Sequence, residues 1–192
     1  MSKPLSTSEG ILDSASHLIA RGGYHGFSYA DIAAVVGIRK ASIHHYFPNK
    51  SDLVVAVVRR YTGALQNGLA SLEEAFPEPS AQIKAYTNHW RTCIADASHP
   101  YCVCVMLAGE LPSLPEEVAD AVRDYFKTLS GWLETKLAAG ARTKKISLQS
   151  SPRSEAELFL ATVHGAMLSA RAYGEASAFG VVVDQLLMRL NI

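Results

Sequence analysis

Long apolar runs are missing from this chain. No stretch of about 18 or more apolar residues occurs, so no membrane-spanning helix is expected. Cysteine is scarce: three residues, an odd number without framework spacing, make no disulfide scaffold and fit a reducing cytoplasm. Met1 to Gly10 carries no charged-then-apolar leader, which argues against secretion. Sustained period-two alternation, internal repeats and low-complexity segments are all absent, so no sheet is expected. There is no Gly-rich phosphate loop, nucleophile elbow, paired-carboxylate arrangement, C-x-x-C pair or H-E-x-x-H helix. The chain is therefore expected to be no enzyme and to hold neither metal nor cofactor. A loose set of His89, Cys93, His99, Cys102 and Cys104 lacks metal-ligand spacing.

Net charge is lacking too, because 18 basic residues balance 18 acidic ones. The balance hides an asymmetry. Residues 1–60 carry seven basic residues (Lys3 among them) against four acidic, and the remainder eleven against fourteen. A basic head on an acidic body suits contact with DNA at one end only. At 48% apolar residues over 192 positions, the chain can bury a substantial core in one or two compact units.

What is present is helical periodicity. Ser6 and Glu9 form a capping box ahead of Ile11, Leu12, Ala15, Leu18 and Ile19. A long helix is predicted from about Lys50 toward Ala75, with its stripe at Val54, Val57, Val58, Tyr61, Leu65, Leu69 and Leu72. Further series run through Ile83–Ile94 and from Cys102 to about Glu110, the latter preceded by Pro100. Another runs from Val118 to Leu137, closed by Gly140, and a polar loop follows from Ala141 to Arg153. Two final series run from Leu158 to Ala170 and from Phe179 to Leu190. The expected fold is all-α, with nine helices.

The most informative stretch is Ser28–Leu53. Ser28 caps a short helix with Asp31 three residues on, Ile32, Ala33 and Val36 give that helix its apolar face, and Gly37 stops it. Ile38 and Ile43 turn back toward the same core. Two short helices joined by a Gly turn make the helix-turn-helix pattern, whose second helix enters a major groove. Arg39, Lys40, Ser42, His45 and Tyr46 lie on its outward face, with Lys50 just beyond, and no carboxylate stands between Asp31 and Asp52. A phosphate-lined groove favours such a surface.

This segment resembles the DNA-binding domain of the TetR family of transcriptional regulators. The residues that carry the resemblance are Gly22-Gly23, Phe27-Ser28, Asp31-Ile32-Ala33, Val36-Gly37-Ile38, Ser42, Tyr46-Phe47, Asn49-Lys50 and Leu53. One position departs: His44 follows the apolar Ile43 where the family pattern has a Tyr. The resemblance implies that Ser42, Tyr46 and Lys50 clamp phosphate. Ser28 heads a helix whose N–H groups face phosphate. Arg39 and Lys40 suit guanine O6 and N7, and His45 suits either task. Residues 1–52 are thus expected to be a helix-turn-helix DNA-binding domain, and residues 53–192 a helical domain for effector binding and dimerisation.

In the C-terminal part the resemblance rests on helix number, order and length. It implies a ligand cavity, for which Tyr86, His89, Trp90, Phe126 and His164 are the candidates, with Arg171 seven residues beyond His164 on one helix face. Cys102 at a helix start is a candidate redox-sensing thiol with Cys104 or Cys93 as its resolving partner, the plain alternative being small buried residues. Gly165, Ala166, Ser169 and Ala170, with Leu186, Leu187 and Leu190, suit pairing of the last two helices in a homodimeric four-helix bundle. The expected function is a cytoplasmic repressor of double-stranded operator DNA, released by a small-molecule effector or by thiol modification, with no membrane partner. The alternative is a helical small-molecule-binding protein or enzyme that does not read DNA.

Overall fold

A computed structural model of the chain describes residues 6–96 and 101–192. Lys3, His99 and Pro100, which figure in the expectations above, lie outside the described residues. Nine α-helices and one short 3-10 turn occur, with no strand among the described residues: α1 Thr7–Gly22, α2 Tyr29–Val36, α3 Lys40–Tyr46, α4 Lys50–Ala75, α5 Pro79–Ala95, α6 Val103–Ala108, the 3-10 turn Leu111–Ser113, α7 Glu116–Arg142, α8 Pro152–Tyr173 and α9 Ser177–Arg189.

The ends of these helices follow local chemistry. Ser6 and Glu9 exchange hydrogen bonds at the start of α1 (2.8 and 3.3 Å). At the head of α2 the N–H and hydroxyl of Ser28 both donate to Asp31 Oδ2 at 2.7 Å, and these bonds hold the Asp31 carboxyl below the usual range. Gly37 closes α2 in the left-handed conformation (φ 74°, ψ 32°), which costs a glycine nothing sterically. Asn49 donates through its N–H and side-chain amide to Asp52 Oδ2 as α4 begins.

Gly140 does not stop α7, which continues to Arg142. The Ile146 side chain occupies the space where a Cβ at residue 140 would go. This glycine serves close approach rather than termination.

Packing divides the chain into two compact units, with boundaries that fall inside α4 and α7. Among the described residues, the first comprises those up to Gly63 and Tyr101–Tyr125, and the second those from Ala64 to Asp96 and Phe126–Ile192. In the first unit Ile11 and Ile19 of α1, Ile32, Ile43, Leu53, Val54 and Val58 are fully buried, as are Leu107 of α6 and Val118 and Val122 of α7. Residues after the long excursion through α5 thus complete the core of the N-terminal helices. The second unit buries Ile83, Leu129, Leu133, Leu137, Phe159, Val163, Phe179 and Val183. In that unit the fully buried side of α8 begins with Glu155, which accepts from the N–H groups of Gln149 and Ser150 (3.0 and 3.1 Å) and pairs with Arg189 of α9. Burial pushes Glu155 up, but Arg189 and those N–H groups outweigh it and hold the carboxyl below the usual range.

Candidate functional site

Ile43 decides which way α3 faces. It is fully buried, worth about 1.5–3 kcal/mol for a side chain of its kind, and it turns the opposite side of a seven-residue helix to solvent. Arg39, the N-cap residue, and Lys40, His45 and Tyr46 are exposed, Tyr46 to 46%, and Ser42 is half-buried. The His45 and Tyr46 rings meet edge-on at 5.6 Å. No carboxylate lies on α3.

The helix is locked beneath by Tyr29, a residue that the sequence pattern does not single out. Its hydroxyl donates toward the carbonyls of Phe47 (2.9 Å) and Asn49 (2.7 Å), joining α2 to the turn between α3 and α4. Burial, with the charge of Asp52, pushes the Tyr29 phenol up to about 12, so it remains a donor. His44, the departure from the family pattern, meets the Tyr29 ring at a tilt, 4.7 Å between centroids, and its Nδ1 lies 3.2 Å from the Pro48 carbonyl.

Two expected phosphate contacts have other partners here. The Ser28 hydroxyl donates its hydrogen bond to Asp31. The Lys50 ammonium donates to the Phe27 carbonyl and lies over the rings of Phe27 (4.1 Å) and Tyr24 (4.8 Å).

Cys102, the N-cap residue of α6, is 1% exposed, and its Sγ lies 3.4 Å from the Tyr125 hydroxyl. Burial pushes this thiol up, but hydrogen bonding from Cys104, Tyr125, Tyr61 and the Val105 N–H outweighs it and brings Cys102 down to about 6. Cys104 goes the other way: burial and the charge on Cys102 raise it well above the ordinary thiol range. Cys102 is thereby the better thiolate of the two. Cys93, also buried, lies in the second unit beside His89 (3.6 Å to Nε2).

The effector candidates fall in the second unit. Tyr86 and Trp90 on α5 are buried, and His89 between them is exposed with its ring edge-on to Trp90 at 5.7 Å. Phe126 of α7 meets His164 of α8 edge-on at 5.3 Å. Tyr86 lies instead beside Trp132 (6.0 Å), whose Nε1 donates to Glu73. Burial lowers His164 to about 4, so the imidazole is neutral at pH 7. Two buried polar atoms of this set, Trp90 Nε1 and His164 Nε2, have no hydrogen-bond partner. No cluster of three or more His, Cys, Asp or Glu side chains able to hold a metal occurs among the described residues.

Comparison with known proteins agrees with this geometry at both ends. Residues 11–57 match the bacterial regulatory proteins of the tetR family, and residues 79–186 match the tetracyclin repressor-like C-terminal domain, more than half of the chain. The chain belongs to the TetR family. The HTH-type transcriptional regulator RutR of Escherichia coli K12 is 31% identical over 136 residues, 67% of this chain and 63% of that protein. The chain thus spans less than two thirds of the length of that relative. The HTH-type transcriptional repressor NemR of the same organism is 23% identical over 168 residues, 86% of this chain and 84% of its own. A crystal structure of a TetR-family transcriptional regulator from Agrobacterium tumefaciens superimposes with a TM-score of 0.95 at 50% identity, covering 99% of this chain and 100% of that one. TetR regulators are DNA-binding transcriptional regulators that act as dimers with small-molecule effectors, and no helix of the described residues is long and apolar enough to cross a membrane.

In this TetR-family chain α8 and α9 pack on each other, and that packing absorbs part of the expected dimer stripe. Ala166, Ala170, Leu186, Leu187 and Leu190 are buried within the single chain. The large aliphatic and methionine side chains left outward are Leu158 and Leu168 on α8 and Val181, Val182 and Met188 on α9, from 37% to 68% exposed, with Tyr173 at the end of α8 also exposed. Gly165 is exposed, with open space where a Cβ would stand.

Proposed function

We propose that this TetR-family regulator is a repressor that binds operator DNA as a homodimer and is released by a small-molecule effector or by modification of Cys102. The outward face of α3 carries the reading: Arg39, Lys40, His45 and Tyr46 stand exposed together, without a carboxylate, on a helix anchored by Ile43. Arg39 and Lys40 read base edges, His45 assists, and Ser42 and Tyr46 hold phosphate. Ser28 contributes chiefly by heading α2, whose N-terminal N–H groups favour an anion. Lys50 adds a phosphate contact on leaving the Phe27 carbonyl. In functional terms residues 1–52 are the DNA-binding head and residues 53–192 the sensing and dimerising body. Such a regulator works where the DNA is, in the cytoplasm, and has no enzymatic step.

The effector is held by Tyr86, Trp90, Phe126 and His164, with His89 toward solvent. The orphaned Trp90 Nε1 and neutral His164 Nε2 support an apolar molecule bearing a hydrogen-bonding group, since buried polar atoms in folded proteins nearly always have partners. Cys102 is the thiol arm, in keeping with its lowered pKa. Only a small electrophile reaches a side chain so buried. A route to the head exists within the first unit: α6 starts after Cys102 and ends two residues before Glu110, which accepts the Tyr24 N–H. The dimer forms on the outward apolar residues of α8 and α9. Effector or adduct shifts the population toward a spacing of the two recognition helices that no longer matches one helical turn of DNA.

Fluorescence anisotropy on a duplex from the region upstream of its own gene tests the reading. The wild-type chain should bind with a steep salt dependence, and Lys40→Ala with Tyr46→Phe should weaken it. Absence of binding at low salt would overturn it.

A further inference from the structure

The turn after α6 grips the loop between α1 and α2, and the grip centres on one carboxylate. Glu110 is fixed by its backbone: its N–H donates to the Leu107 carbonyl (3.0 Å), and its own carbonyl accepts the Ser113 N–H (2.8 Å). Its Oε2 accepts the Tyr24 N–H at 2.5 Å. The carboxylate fills the space beside Gly23 where a Cβ would stand, 2.5 Å from Oε1, and Gly23 holds the φ of 73° that glycine tolerates best. A second bridge, His25 Nε2 to Ser113 Oγ at 3.2 Å, joins the same two segments without Glu110.

Lys50 is seated on this loop. Its ammonium donates to the Phe27 carbonyl and lies over the Tyr24 and Phe27 rings. Burial lowers its pKa, and the charges of Glu110 and Asp31 oppose that effect. Asp31 has a separate task at the α2 N-terminus, already met by Ser28. Glu110 comes from a segment 60 residues further along the chain and caps nothing of its own in the head.

We propose that Glu110 is a positioning residue for DNA binding: its carboxylate, pinned to the Gly23–Tyr24 backbone, favours the inward seat of the Lys50 ammonium, and a DNA phosphate must draw Lys50 away from it. The Glu110 charge thus restrains DNA affinity through Lys50 while its hydrogen bond keeps the loop in shape. This rests on the reading of residues 1–52 as a DNA-binding head. A phosphate and a carboxylate compete here for one cation, so removing the carboxylate charge favours the phosphate.

Glu110→Gln tests the charge alone, because the amide keeps an oxygen for the Tyr24 N–H and the His25–Ser113 bridge remains. With a fluorescein-labelled upstream duplex at about 50 mM salt, Glu110→Gln should tighten binding by about two- to fivefold, the size of a partly exposed ion pair. Glu110→Asp, which keeps the charge, should give no gain, and the gain should vanish when Lys50→Gln is present in both chains compared. An unchanged or weaker affinity for Glu110→Gln, or an equal gain without Lys50, overturns the proposal.

NMR of the wild-type chain gives a reading that needs no variant to fold. Lys50 ε-methylene protons over two ring faces should resonate upfield and lose that shift when duplex is added. Retention of the shift in the bound state overturns the proposal while leaving DNA binding intact. A wild-type chain that ignores every duplex overturns the DNA-binding reading, and this inference with it.

Discussion

The two compact units handle their polar groups in opposite ways. In the first, Ser14 Oγ is the one buried polar side-chain atom left unanswered among the described residues, and the others are used internally: Ser28 on Asp31, Tyr29 on the Phe47 and Asn49 carbonyls, Lys50 on Phe27, Tyr24 on Glu110, and Cys102 on Tyr125. What it leaves outside is the cationic and aromatic face of α3, with Val35 of α2 as a single large exposed aliphatic side chain. The second unit leaves buried polar atoms unanswered at Gln82 Oε1, Trp90 Nε1, Arg91 Nε and His164 Nε2, and exposes apolar side chains at Leu158, Leu168, Val181 and Met188. A unit with most of its buried polar groups satisfied has a defined geometry to offer a repetitive partner such as DNA. One with orphaned polar atoms inside and apolar residues outside is suited to receive partners, an effector within and a second copy on its face.

That contrast can be broken at either unit. The largest effect is expected on the outward face of α8 and α9, where Leu168→Asp together with Val181→Asp places charge among apolar residues. Loss of about 2–4 kcal/mol of dimer affinity should appear as a monomer in sedimentation at micromolar concentration, and a persistent dimer would move the interface elsewhere. In the first unit, Lys40→Ala should cost about 1–3 kcal/mol of operator affinity with an unchanged unfolding temperature, because Lys40 is exposed. A fall in unfolding temperature would make it structural.

The third effect depends on acid. His164 in the folded chain titrates at about 4 against an ordinary 6.5, so the unfolded chain takes up the proton first. Its contribution to stability is therefore full above about 6.5 and lost as pH falls from there toward 4. About 2 kcal/mol should go between pH 7 and pH 5, and urea unfolding of His164→Leu should lack that component. Equal acid sensitivity in both chains would mean that the imidazole is solvated. The smallest effect is at Gly165, where a Cβ meets nothing within 4 Å. Gly165→Ala should stabilise the monomer by about 0.5–1 kcal/mol, and a simultaneous weakening of the dimer would assign close helix approach to that point of α8.

Local signals were legible in the sequence, and long-range ones were not. The Ser6–Glu9 and Ser28–Asp31 pairs, the Gly37 turn and the Asn49 cap act within four residues, so spacing alone discloses them. The length of α4, from Lys50 to Ala75, was readable from its apolar stripe. Gly140 misleads because a glycine that admits Ile146 looks the same as one that ends a helix. Leu186, Leu187 and Leu190 read as part of a dimer stripe, whereas the fold buries them within the single chain, because an apolar stripe looks the same whether it faces a partner or a neighbouring helix. The outward face of α3 could be named residue by residue because Ile43 fixes its phase. The inward seat of Lys50 could not, since the Phe27 carbonyl and the Tyr24 ring that hold it come from the loop before α2, and no pattern of spacing links them to Lys50.

The central claim is that the exposed donors of α3, presented twice by a dimer, read duplex DNA. Native mass spectrometry of the chain mixed with its upstream duplex, alongside anisotropy across a salt series, tests it most directly. Two chains per duplex, with affinity falling steeply as salt rises, is the predicted result. A single chain that gives no complex even at low salt would contradict it.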